Sequence, residues 1–122
     1  MSNRDNIIKV KSFLFARRVV NLYKYLIEVH HEYVLSKQIL RSGTSIGANV
    51  REAINAESIG DFIHKLSIAQ KECDETMYWI ELLKDTNYVN QQEFTSIHTD
   101  ANELLKIIRS IILTSKRKKK LS

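Results

Sequence analysis

The chain has no proline and only three glycines, Gly43, Gly47 and Gly60, in 122 residues. Those two residue types punctuate tight turns and strand ends, so their scarcity argues against a fold of many short strands and favours long helices. A lone cysteine, Cys73, excludes an internal disulfide framework and fits a reducing compartment. No window approaches the roughly 18 consecutive apolar residues that a spanning helix needs. The opening "MSNRDNIIKVKSFLF" lacks the uninterrupted apolar core of a signal peptide. These absences predict a cytoplasmic protein with no membrane partner. The length, with 43% hydrophobic and 27% charged residues, suits one globular domain.

Apolar residues recur at helical spacing in four blocks. The first runs from Ile7 to about Val29, with Ile7, Val10, Leu14, Val20 and Ile27 as its stripe and Phe13, Val19, Tyr23 and Leu26 alongside. Ser36 is a candidate N-cap for a second helix, Lys37 to about Glu57, in which Ile39, Gly43, Ile46, Val50 and Ala53 fall three or four residues apart. Ser58 or Asp61 caps a third helix to about Asp85, carrying Phe62, Leu66, Ala69, Cys73, Met77, Ile80 and Leu83. "DTNYVN" is the clearest break, because Asp and Asn side chains compete for backbone hydrogen bonds. Asn90 then precedes a fourth helix to about Ser115, with Phe94, Ile97, Ala101, Leu104, Leu105, Ile108, Ile111 and Ile112 on its apolar face. Helices of similar length with short links predict an all-α, antiparallel up-down four-helix bundle over residues 1–115. Residues 116–122, "KRKKKLS", are expected to form a separate, disordered basic tail.

The stretch "RSGTSIGANVREA", residues 41–53, sets two glycines four apart among hydroxylated residues, as a phosphate-binding loop would. A P-loop needs G-x-x-x-x-G-K-[ST], yet Ala48 and Asn49 follow Gly47. The G-x-G-x-x-G spacing and preceding strand of a dinucleotide site are also missing. The glycines lie instead inside a helical pattern. Ser42, Gly43, Gly47 and Ala48 would admit a closely packed helix, which must offset roughly 1 kcal/mol of lost propensity per glycine. A bend at the glycines is the other structural reading.

Two adjoining segments, "LSKQILRSGTSIGANVREAINAES" and "DFIHKLSIAQKECDETMYWIELL", are similar to the bacterial four-helix-bundle family of 23S rRNA intervening-sequence proteins, also labelled S23. The similarity covers most of the chain. It implies a four-helix-bundle protomer and assembly of a ring-like oligomer, a pentameric barrel in known members. Relatives include the accessory protein of diversity-generating retroelements, which binds a reverse transcriptase and nucleic acid, so the resemblance implies those classes of partner. The family name records where the genes lie and specifies no activity.

Charge is unevenly distributed. Residues 1–51 hold nine Lys or Arg against three acids, whereas residues 52–109 hold five against eleven. Lys116, Arg117, Lys118, Lys119 and Lys120 then supply an excess equal to the formal net charge of +5. Two readings follow. In one, Arg17, Arg18, Lys24, Lys37, Arg41 and Arg51 form a basic surface that contacts phosphates, of RNA in preference to DNA. In the other, the basic helices lie beside the acidic third helix, in the same or a neighbouring subunit, and the charges neutralise one another. A ring would repeat any surviving basic face and raise avidity. The tail would add salt-dependent, sequence-independent affinity.

Catalytic patterns are weak. His30 and His31 are adjacent rather than four apart, and H-E-x-x-H is absent. Cys73 falls on an apolar stripe, where a buried small hydrophobe is expected rather than a nucleophile. Glu72, Asp74, Glu75 and Glu81 invite a di-metal reading, but none is followed by the histidine three residues on that such bundles use. Tyr78 and Trp79 could stack on bases or pack in a core or subunit interface. The sequence therefore predicts a non-enzymatic homo-oligomer without cofactor or metal that binds RNA or another nucleic acid. The competing expectation is a protein-interaction scaffold, for example for a reverse transcriptase or a ribosome-associated factor, with incidental nucleic-acid contact.

Overall fold

A computed structural model describes residues 2–121; Met1, at the start of the expected bundle, and Ser122, at the end of the expected tail, lie outside the described residues. Among the described residues there are four helices and no strand: α1 (Asn3–Glu28), α2 (Leu35–Ile54), α3 (Ile59–Asp85) and α4 (Gln91–Leu121). The chain is a four-helix bundle in which α2 packs on α1 and α3, and α4 packs on α3 and α1.

Three helix starts use one device, a short polar side chain that accepts an otherwise orphaned backbone N–H. Ser2 Oγ accepts from Asp5, Ser58 Oγ from Asp61 and Asn90 Oδ1 from Glu93. The first of these lets α1 begin at Asn3, earlier than its apolar stripe indicates. The fourth start differs from expectation, because Ser36 is buried inside α2 and does not cap it. Glu32 reaches forward from the preceding link, its carboxylate accepting the N–H groups of Val34 at 3.1 Å, Leu35 at 2.9 Å and Ser36 at 2.7 Å. Burial alone would raise the Glu32 pKa, but the backbone bonds from Leu35, Ser36 and Val34 outweigh it and hold the carboxyl below its ordinary value. At the far end of α3, Asn87 takes a left-handed φ of 68°. There its N–H bonds to the Lys84 carbonyl and that of Tyr88 to Leu83, which satisfies the last carbonyls of the helix.

The apolar stripes expected on α2 and α4 face the core almost throughout, but the phase of α1 is different. Its buried residues are Ile8, Ser12, Phe15, Val19, Leu22 and Leu26, which leaves Ile7, Val10 and Leu14 exposed. Apolar side chains surround the first half of α1, so periodicity does not choose a face there. The buried phase brings the small Ser12 against Gly47 of α2.

Close contact and long reach alternate around the bundle. The hydroxyl oxygens of Ser42 on α2 and Thr76 on α3 are 2.9 Å apart, and Cys73 Sγ on α3 lies 3.2 Å from the Ala101 carbonyl on α4. The α1–α4 seam is crossed by long polar side chains instead. Arg4 donates to Ser110 at 2.8 Å and Thr114 at 3.3 Å, Lys11 pairs with Glu103, and Arg18 donates to Asp100 at 2.8 Å and Ser96 at 2.7 Å.

The boundary expected after Ser115 has no structural counterpart. Helix α4 runs on through "KRKKK" to Leu121, so the segment read as a disordered tail is helical over its described residues. Lys and Arg are good helix formers, and cations in a last turn complement the negative end of the helix dipole. No described helix is long and apolar enough to cross a membrane.

Candidate nucleic-acid interface

The seam between α1 and α2 is set by the two glycines. A Cβ on Gly43 would stand 2.7 Å from both γ-carbons of Val19, and one on Gly47 would stand 3.3 Å from the Ser12 carbonyl oxygen. The helices therefore approach more closely than side chains at these positions would allow. Ser42 is buried beside this seam, against α3. Ala48, expected among the small packing residues, is exposed on α2 and takes no part in the seam, because its position on the helix faces outward.

Close approach brings the flanking residues of α1 and α2 onto one outward face. The Arg51 guanidinium carbon lies 5.7 Å from the centroid of the Phe13 ring, a cation–π contact. Phe13 is itself 55% exposed, with Val10 close by on the same helix. Arg17 lies four residues beyond Phe13 and Lys24 seven beyond Arg17, spacings that keep them on neighbouring rows of one helix. From Phe13 to Lys24 the row spans roughly 16 Å at 1.5 Å per residue.

The expected cations have different fates. Arg18 pairs with Asp100 and Glu93 of α4, and Arg41 pairs with Glu72 at 2.9 Å and with Glu75 of α3. These two are neutralised inside the protomer, as the competing charge reading anticipates. Arg17, Lys24, Lys37 and Arg51 are exposed and make no ion pair among the described residues. Residues 6–27 and 33–51 contain neither Asp nor Glu, although Glu28 ends α1 and Glu52 adjoins Arg51. Lys116, Arg117, Lys118, Lys119 and Lys120 are exposed on the last turns of α4, and Lys119 Nζ lies near Gly60 at the start of α3.

Sequence reasoning puts Phe13, like Ile7, Val10 and Leu14, in the apolar face of α1, and it is exposed instead. Tyr78 is exposed and stands edge-on to Trp79, whose Nε1 donates to the same Glu75 that binds Arg41. That aromatic pair thus sits beside an ion-pair cluster and apart from the α1–α2 face.

Nucleophilic chemistry has little to work with. Burial first, and Asp74 second, push the Cys73 thiol up to about 12 against a lowering influence from Arg109, so the thiolate is absent at neutral pH. His98 bonds to Glu81 at 3.0 Å on the α3–α4 surface. Among the described residues, no three His, Cys, Asp or Glu side chains cluster as metal ligands would.

Comparison with known proteins places this architecture. The family model described as 23S rRNA-intervening sequence protein matches residues 4–110. The chain belongs to this family. It is similar to a Bacteroides thetaiotaomicron protein of unknown function from the S23 ribosomal protein family, known from a crystal structure. The two are 56% identical with a TM-score of 0.88, over 89% of this chain and 97% of the other. No curated protein matches the chain. The family match ends before the basic last turns of α4, so Lys116 to Lys120 lie beyond it.

Proposed function

We propose that this member of the 23S rRNA-intervening sequence protein family is a non-enzymatic, cytoplasmic homo-oligomer that binds nucleic acid, RNA in preference to DNA, through the shared face of α1 and α2. The observation that carries the reading is the set Arg17, Lys24, Lys37 and Arg51, exposed on α1 and α2 without an ion pair among the described residues. Cations without an ion-pair partner attract phosphates and release condensed counterions on contact, and the exposed Phe13 beside Arg51 offers a ring on which a base stacks. The helical cations Lys116, Arg117, Lys118, Lys119 and Lys120 add sequence-independent attraction.

The protomer in this reading is an antiparallel up-down bundle. It is supported by pairs whose α4 partner moves toward the start of that helix as α1 advances: Arg4 with Ser110, Lys11 with Glu103, Arg18 with Glu93. The exposed apolar stripe of Ile7, Val10 and Leu14 supports self-association, a ring of five in line with the family resemblance.

One observation favours the scaffold alternative, in which a protein is the partner. Arg18 and Arg41 are already occupied by acids, and the apolar stripe suits a protein contact as well as a second copy. Fluorescence titration of a labelled structured RNA separates the two readings. Arg17→Glu/Arg51→Glu is expected to abolish binding near physiological salt while oligomeric state is unchanged. Retained binding by that variant would replace the RNA reading with the scaffold.

A further inference from the structure

We propose that the cavity between α1 and the α3–α4 link is a subsite for a guanine base, an inference that rests on the RNA reading above and adds a base preference to it.

A cavity of about 390 Å³ opens there, within the range of about 300–1,000 Å³ usual for small-ligand sites. Leu22 and Val89, both buried, form its apolar floor, and Tyr25, 43% exposed, forms a wall. The Tyr25 hydroxyl lies 3.0 Å from His30 Nε2, and the His30 ring stands edge-on to both Tyr25 and Tyr88. These contacts hold the tyrosine in place before any ligand arrives. A ring fixed in this way loses little freedom when a flat ligand stacks on it.

The polar lining selects the ligand. Arg18 and Glu93 contribute one charge of each sign, so the cavity has no excess of positive charge for a phosphate and suits a neutral ligand with a hydrogen-bonding edge. Arg18 donates to Asp100 at 2.8 Å and to Ser96 at 2.7 Å, whereas its contact with Glu93 is 3.4 Å. Glu93 is therefore the loosely held partner, and its half-exposed carboxylate keeps acceptor capacity. A carboxylate accepts from two neighbouring donors at once. Among the RNA bases only guanine offers such a pair on its Watson–Crick edge, N1–H and N2–H. Adenine and cytosine set a ring-nitrogen lone pair beside their amino group, and uracil flanks its one N–H with two carbonyls, so each turns a lone pair toward the carboxylate. The exposed Asn21 side chain makes no hydrogen bond among the described residues and supplies a donor for guanine O6. Asn90, by contrast, is committed, its Oδ1 accepting the Glu93 N–H.

Placement favours a base within an RNA strand. Asn21 lies four residues after Arg17 and three before Lys24, and Tyr25 lies four after Asn21. These spacings put the cations and the edge of the cavity on neighbouring rows of α1, about 5–6 Å apart between Cβ atoms, a step comparable with that from a phosphate to its own base. A strand whose phosphates meet Arg17 and Lys24 thus carries a base to the cavity mouth. A free guanine nucleotide presents the same edge, and the test separates the two sources.

Fluorescence anisotropy of the full chain with uridine hexamers, carrying uridine, adenosine, guanosine or inosine at one internal position, reads the base preference. The guanosine strand is expected to bind about tenfold tighter than the uridine and adenosine strands, as a bidentate base contact does. Inosine, which lacks the N2 amino group, should lose most of that gain. Glu93→Gln keeps a residue favoured in a first helical turn and leaves the Asn90 cap in place, so α4 should still form. It should erase the guanosine preference while the uridine strand still binds. A second arm needs no strand: the nitrogen-15-labelled chain is titrated with guanosine or inosine 5′-monophosphate, and saturable shifts of the Asn21 side chain and the Tyr25 and Asn90 amides are expected with the first and not the second. Those shifts without a strand preference identify a free guanine nucleotide as the occupant. Their persistence in Arg17→Glu/Arg51→Glu, where strand binding is lost, keeps the subsite independent of the RNA reading. Strands that bind equally well and lose affinity in that variant, with no response to the mononucleotide, would leave the RNA reading standing and overturn the guanine subsite. Equal shifts with the two mononucleotides, or a guanosine preference that survives Glu93→Gln, would overturn it as well.

Discussion

Gly43→Ala tests whether α1 and α2 are held as close as the glycines permit. In an exposed helix this substitution stabilises by about 1 kcal/mol through propensity alone. Here the new methyl meets Val19 Cγ1 and Cγ2 at 2.7 Å, well inside van der Waals contact. Val19 has no accessible surface, and valine in a helix is largely confined to one χ1 rotamer, so it has no free direction in which to turn. Overpacking of a tight core costs about 1–3 kcal/mol, and two simultaneous clashes against a stiff partner point to the upper end. The expected net loss is about 2 kcal/mol once the propensity gain is subtracted. In urea, at fixed protein concentration because association shifts apparent stability, the midpoint should fall by about 1 M. Val19→Ala alone should also cost about 2 kcal/mol by vacating apolar volume. Combined, the two changes should fit one another, so the double variant is expected to be at least about 1 kcal/mol more stable than additivity implies. Stabilisation by Gly43→Ala, or strict additivity in the cycle, refutes the close-packing account.

Three further expectations come from the caps, the core and the last helix. Glu32→Ala should cost about 1 kcal/mol, the usual penalty for losing a helix N-cap. Because the Glu32 carboxyl is lowered in the folded state, its contribution is fully present above the ordinary carboxylate range and lost as pH falls through the folded value. Acid-unfolding curves should therefore be flatter for Glu32→Ala than for the parent below about pH 5. Cys73, with its thiol raised to about 12, should resist a thiol reagent at pH 8 and react promptly in denaturant; rapid labelling of the native protein contradicts its burial. Removing residues 116–122 should reduce the total helical circular-dichroism signal, and an unchanged signal would mean that this segment is not helical.

Much of the architecture is legible in the sequence because three helices have one clear apolar row. Ile39, Ile46 and Val50 on α2, or Ile97, Leu104 and Ile108 on α4, admit one inward face. Helix α1 is different, since Ile7, Ile8, Val10, Phe13, Leu14 and Phe15 surround its first half and two phases fit equally well. The choice was made by a neighbour, because only the phase with Ser12 inward lets Gly47 approach its backbone. The α2 cap was hidden for a similar reason. A serine at the expected position is the usual signal, whereas Glu32 acts through a carboxylate that reaches forward across the link. Net charge likewise does not say which arginines are occupied. Arg18 and Arg41 look like Arg17 and Arg51 in one dimension, and only the packing of α3 and α4 beside them supplies Glu72, Glu75, Glu93 and Asp100. The basic end of α4 reads as a tail by composition, although Lys and Arg continue a helix readily when one already precedes them.

The salt dependence of RNA affinity tests the functional reading most directly. Each phosphate contact contributes about 0.7 to 0.9 to the slope of log affinity against log salt. Arg17→Gln/Arg51→Gln should therefore reduce the slope by about 1.4 to 1.8, with the oligomer intact. Arg18→Gln/Arg41→Gln, which alters the arginines already bound to acids, should leave it nearly unchanged. An unaltered slope in the first variant, or an equal loss in both, would contradict the claim that the α1–α2 face carries nucleic-acid binding.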